Sequence, residues 1–168
     1  MKKLIIFGRS PFIKKIDLKS IDYDKYDVLC INYPIPDIKV HYVLSCDEWV
    51  KPILAPKTEW ISVNTGWDMH KTKEFITDEK HLSWLYYSSS GAVNFAILRG
   101  YKEIYLCGVD LIPDGKPFRH YDGIKNTKTP SEKSLIEEQE YIKELCKRNG
   151  VIIYNVNPKA NWVENRGL

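Results

Sequence analysis

Apolar residues in this chain gather into short unbroken runs that end in polar turns, and the runs alternate with longer amphipathic stretches. Lys3–Phe7 (KLIIF) runs into Gly8-Arg9-Ser10-Pro11, and 27–31 (DVLCI) stops at Asn32, where Pro34 and Pro36 prevent its continuation. The runs 41–44 (HYVL) and 59–63 (EWISV) lead toward Asp47 and Asn64, Glu103–Cys107 (EIYLC) closes on Gly108-Val109-Asp110, and 151–154 (VIIY) precedes Asn155. Apolar runs this short and this continuous predict strands of a mainly parallel sheet covered on both faces. Between them, Ser10 as N-cap and Pro11 at the first helical position predict a helix over 11–16. Ser88-Ser89-Ser90-Gly91 leads into helical 92–98 (AVNFAIL), and 130–149 reads as a charged amphipathic helix with Thr129 or Ser131 near its cap and Gly150 at its end. The alternation predicts an α/β fold: one Rossmann-like domain over residues 1–168, with helices on both faces of the sheet.

In such sheets ligands bind beyond the carboxyl ends of the strands, where the strand order switches. The residues at those ends are Gly8-Arg9-Ser10, Asn32, Asp47, Asn64, Ser88 to Ser90, Asp110 and Asn155. Turn chemistry alone explains a small polar residue at any one strand end, whereas its recurrence at nearly every end points to a ligand site. The Gly8 turn and Ser88 to Gly91 each open a helix, where free backbone amides and the helix dipole favour an anion. Neither is a complete GxGxxG or P-loop motif. Arg9 and Arg119 have the bidentate geometry for a phosphate or carboxylate, although an exposed solubilising role is the better fit for Arg119. The polar, Gly- and Pro-containing stretch 111–129 has the length of a functional loop. It carries His120, suited either to general-base chemistry near neutral pH or to an ordinary place on a loop surface.

Composition narrows the picture. At 168 residues the chain is the size of one domain. Its four cysteines, Cys30, Cys46, Cys107 and Cys146, form no CxxC pair, which suits buried reduced thiols and supplies no metal-ligand spacing. The net charge of +3 is spread over the chain and forces no nucleic-acid partner. The apolar part of the start, Leu4 to Phe7, is too short for a signal peptide or a membrane span, so the expectation is a cytoplasmic protein. Self-association stays open.

A set of segments in order adds a family resemblance: Met1-Lys2-Lys3-Leu4-Ile5-Ile6 with Gly8 and Pro11, Cys30-Ile31-Asn32, Ser89-Ser90-Gly91-Ala92, Gly100 to Asp110 (GYKEIYLCGVD), and His120-Tyr121-Asp122-Gly123. Together they resemble the bacterial lipooligosaccharide sialyltransferases that use CMP-sialic acid, and the wider group of related Rossmann-fold proteins. The block from Gly100 to Asp110 is the most specific, and 40–86 is largely unmatched. The resemblance implies an inverting, metal-independent transfer from a CMP-sugar donor with no further cofactor. It implies a donor pocket of Gly8, Arg9, Ser10, Asn32, Ser89, Ser90, Gly91, Gly108 and Asp110, with His120 as the base that deprotonates the acceptor. Where that family carries two tyrosines for the departing phosphate, this chain has Ile112 and Phe118, which leaves Tyr121, beside Arg119, as the phenol available for a phosphate contact. Two function classes therefore stay open, a small sialyltransferase-like glycosyltransferase and a protein that binds a nucleotide-like ligand without transferring anything. A pyrophosphokinase is a weaker third, since no acidic pair suited to magnesium stands out beyond Asp47 and Asp110.

Overall fold

The computed structural model describes residues 2–45, 59–61, 68–71, 77–78, 81–118, 120–121, 123 and 129–168. Asp47, Asn64, Cys46, Arg119 and Asp122 lie outside them.

The apolar runs form the strands expected of them: β1 (Lys3–Phe7), β2 (Tyr26–Ile31), β3 (Tyr42–Leu44) and β4 (Glu59–Ile61). Three short strands follow, β5 (Asp68–Lys71), β6 (Thr77–Asp78) and β7 (His81–Trp84), and then helix α1 (Ser88–Leu98). The chain continues through β8 (Glu103–Cys107), helix α2 (Glu132–Arg148), β9 (Ile152–Asn155) and β10 (Glu164–Asn165). Among the described residues, seven strands build one sheet in the order β10-β9-β8-β1-β2-β3-β4, and all of its pairings are parallel. The remaining three, in the order β5-β7-β6, form a small second sheet that sequence reasoning did not anticipate.

Side chains alternate along each central strand and divide the core in two. Leu4, Ile6, Leu29, Ile31, Ile104 and Leu106 face one way, and Ile5, Phe7, Val28, Cys30, Tyr105 and Cys107 the other. The first face is covered by α1 and α2, with Phe95, Ala96, Leu135, Ile142 and Leu145 against it. α1 is buried on all sides from Ser89 to Ala96, which explains its apolar, weakly patterned sequence. α2 is amphipathic and buries a single stripe of Leu135, Glu138, Tyr141, Ile142, Leu145 and Cys146.

The second face has no α-helix among the described residues. The helix expected over 11–16 is a five-residue 3-10 turn, Pro11–Lys15, followed by a second such turn, Leu18–Ser20. Ser10 caps the first as expected, accepting from the Phe12 N–H at 3.1 Å. Ile16 is already extended, so no α-helical ladder propagates. Helical elements thus cover both faces, unequally, and the handedness of parallel crossovers explains why. The chain moves from β1 to β2 in one direction along the sheet and from β8 to β9 in the other, so right-handed connections must lie on opposite faces.

No helix among the described residues is long and apolar enough to cross a membrane. Cys30, Cys107 and Cys146 are free and buried. Burial pushes the Cys30 thiol up to about 12 and holds Cys107 well above its ordinary value, so neither is an available nucleophile.

Candidate functional site

The strand order reverses between β1 and β8: from β1 the chain steps outward through β2, β3 and β4, then returns to the other flank of β1. The carboxyl ends of these two strands meet closely. Gly8 N–H donates to Cys107 O at 2.8 Å, and Ser10 N–H to Gly108 O at 3.1 Å. A β-carbon at Gly8 would stand 2.2 Å from the Gly108 carbonyl oxygen, so only glycine fits there. Gly108 adopts φ +72, with the Ile13 side chain packed over it. The Ser10 hydroxyl donates to Asp110 Oδ2 and so joins the two turns.

A cavity of about 340 Å³ opens at this junction. Gly8, Arg9, Ser10, Pro11, Ile31, Asn32, Gly108, Val109 and Asp110 line it from the strand ends and their turns. Leu111, Ile112, Asp114, Lys116, Pro117, Phe118 and His120 line it from the loop after β8. The size is within the usual range for a small-molecule site, and the mixture of apolar wall with a few polar groups is also usual. Asn32 leaves β2 at φ +69, its N–H held by Leu44 O at 2.8 Å. Asn32 Oδ1 and Asp110 Oδ1 are both shielded from solvent and have no hydrogen-bond donor among the described residues. Buried acceptors are seldom left this way. The Arg9 guanidinium stacks over the Tyr33 ring at 5.0 Å, and the Arg9 carbonyl accepts from the Tyr121 N–H at 2.7 Å. That bond ties the His120 segment to the first turn.

Of the residues singled out in the sequence, Gly8, Arg9, Ser10, Asn32, Gly108, Asp110 and His120 all line this one cavity. Tyr121 does not line it, and its ring packs against the second core cluster instead. Ser10 donates its hydroxyl hydrogen to Asp110 and accepts from the Phe12 N–H, and so acts as a strut between the two turns. The element after the first turn is a five-residue 3-10 turn, too short to lend that turn a helix dipole.

Ser89, Ser90 and Gly91 are not among the cavity's lining residues. The start of α1 is occupied by a carboxyl group of the protein's own. Glu138, fully buried on α2, accepts from Ser89 Oγ at 2.8 Å, Ser90 N at 3.0 Å and Tyr86 N at 2.9 Å. Burial pushes the Glu138 carboxyl above its ordinary value, against the pull of these donors. Ser90 Oγ in turn accepts from Leu85 N and donates to Tyr87 O, at 3.0 and 3.1 Å. Sequence reasoning missed Glu138, although a signal was present: it stands in the apolar stripe of α2, three residues from both Leu135 and Tyr141. It also missed Lys116, which lies in the loop that had been singled out.

The chain matches no protein-family model and no curated protein. Its fold is similar to that of the sialyltransferase CstII from Campylobacter jejuni. The structure of that enzyme with the substrate analogue CMP-3FNeuAc aligns at TM-score 0.54 and 16% identity, over 98% of this chain and 86% of that one. Its structure with cytidine-5′-monophosphate aligns at TM-score 0.56 and 16% identity, over 98% and 85% of the two chains. The α/β fold anticipated from the strand pattern is therefore a sialyltransferase-like fold.

Proposed function

We propose that the chain binds a cytidine nucleotide in the cavity between the β1 and β8 strand ends and transfers a sugar from a CMP-sugar donor, with inversion and without a metal. The observation that carries this is the pair of donorless buried acceptors, Asn32 Oδ1 and Asp110 Oδ1, in a cavity at the switch point of the sheet. They call for a ligand that offers hydroxyl or amino hydrogens, which a ribose diol and a cytosine amino group supply. Arg9 and Lys116 bring cationic groups to the same walls for a phosphate. The fold it shares with an enzyme solved in complex with CMP supports the choice of nucleotide. His120 lines the cavity and is the residue to accept the acceptor's proton. The buried free thiols suit a cytoplasmic location.

The test is release of CMP from CMP-sialic acid in the presence of a hydroxyl-bearing sugar acceptor. His120→Ala should lower that turnover by roughly 100- to 10,000-fold while leaving CMP affinity unchanged. A second reading, binding without transfer, is favoured by Ile112 and Phe118, which present hydrocarbon to the cavity where a phosphate-binding phenol would be useful. Tight binding of CMP-sialic acid with the donor recovered intact would decide for it. Absence of CMP binding would reject both.

A further inference from the structure

The backbone that presents Asp110 to the cavity belongs to no helix or strand, yet successive carbonyls of it are each held by a side chain from elsewhere. Asn155 Nδ2, at the end of β9, donates to Val109 O at 3.0 Å. Trp162 Nε1, in the segment between β9 and β10, donates to Asp110 O at 2.9 Å. Gln139 Nε2, on α2, donates to Leu111 O at 2.8 Å. Leu111 is held at φ +50, a left-handed conformation that a leucine adopts only when its surroundings impose it. On the opposite side the same turn is pressed against Gly8. None of the three donors lines the cavity.

We propose that Trp162, together with Asn155 and Gln139, is a positioning residue of the site: the three donors fix the backbone from Val109 to Leu111 and so aim Asp110 at the ligand. The segment that carries Trp162 is itself tied down, with Asn165 Nδ2 donating to Asn157 O at 3.0 Å and Arg166 N–H to Asn155 O at 3.1 Å. Ligand affinity thus depends on a part of the chain some fifty residues beyond Asp110 that never reaches the ligand.

The inference rests on the nucleotide-binding reading for its affinity readout, and a second readout decides it without that reading. In the full chain, Trp162→Phe keeps most of the ring and removes the N–H. CMP affinity, measured by calorimetry well below the melting temperature, should fall about tenfold. In the ligand-free protein the Asp110 and Leu111 amide resonances should shift, and their hydrogen exchange should quicken, while the amides of β2 stay as they were. A purely structural tryptophan would lower the melting temperature and leave the Asp110 amide and the CMP affinity where they are, which would overturn the proposal. If the wild type binds no CMP, the nucleotide reading fails, and the resonances and exchange of 109–111 still support or overturn the clamp. If Trp162→Phe does not fold, Gln139→Leu, on the partly exposed side of α2, takes its place with the same expected and overturning results.

Discussion

The two ends of the sheet use the same kinds of side chain to opposite effect. At the amino end, Asp27 accepts from the Tyr101 hydroxyl at 2.6 Å and Lys2 Nζ at 3.2 Å, with His41 Nε2 at 3.4 Å. Tyr101 and Tyr42 share a hydroxyl contact at 3.2 Å, and His41 Nδ1 accepts from the Val28 N–H at 3.0 Å. Burial alone would raise the Asp27 carboxyl, but Tyr101, Lys2 and His41 together hold it below its ordinary value. At the carboxyl end, Asn32 Oδ1 and Asp110 Oδ1 have no donor among the described residues, and Asn32, Gly108 and Leu111 all stand at positive φ. A polar group that is buried and paired contributes stability. One that is buried and unpaired costs stability until a ligand arrives, and a fold keeps such groups where it binds. Variants at the amino end should therefore change stability alone, and most variants at the carboxyl end should change binding alone.

Gly8→Ala gives the largest effect and is the exception that joins the two. Its β-carbon meets the Gly108 carbonyl, so the turns must part, with a loss of about 3 kcal/mol in urea unfolding and loss of CMP binding as well. An alanine variant that binds CMP normally would show that the close approach of β1 and β8 does not shape the site. Tyr101→Phe comes next. It removes a hydrogen bond to a carboxylate and should lower stability by about 2 kcal/mol, with CMP affinity untouched. A change in affinity there would break the division between the ends.

Asn32→Gly is the converse. Glycine keeps the positive φ and loses the acceptor, so stability should hold within about 0.5 kcal/mol while CMP affinity falls about tenfold in calorimetry. The smallest effect is a pH dependence at the amino end. Burial holds the His41 ring below its ordinary value, with Asp27 opposing. The folded state therefore takes up the proton less readily than the unfolded chain, and the stabilisation is complete above about pH 6.5 and is lost as pH falls through the lower folded value. Melting temperatures from pH 8 to pH 5 should decline in the wild type and flatten in His41→Gln over that interval. Asp27 adds its own loss only below about pH 4. An unchanged slope in the variant would assign the decline to other groups.

Much of the fold was legible because strands buried on both faces are written as continuous apolar runs. KLIIF and EIYLC became β1 and β8 with the boundaries expected, and Ser131 caps α2, accepting from Ser134 N at 3.0 Å. The glycines at 8 and 108 marked the turns, since the close backbone approach excludes a side chain at Gly8, and the positive φ with Ile13 packed over it disfavours one at Gly108. The helix over 11–16 was misjudged in type: Ser10 and Pro11 specify how a helical turn begins, and nothing local says that it ends after five residues. The small sheet of β5, β6 and β7 was missed because its strands are short and their sequence (DMHK, TD, HLSW) carries no apolar run.

The sequence by itself determined which residues stand at strand ends and what chemistry they carry. Tertiary structure alone decided which of those ends share a cavity. It joined Gly8, Asn32, Asp110 and His120 and gave the start of α1 to Glu138, which follows Ser90 by 48 residues. It also brought Trp162 to the Asp110 carbonyl across 52 positions. Local signals arise from neighbours one to four residues apart, where periodicity and capping act. A hydrogen bond across fifty residues leaves no spacing rule in the chain, because what sets it is the packing of whole elements against one another.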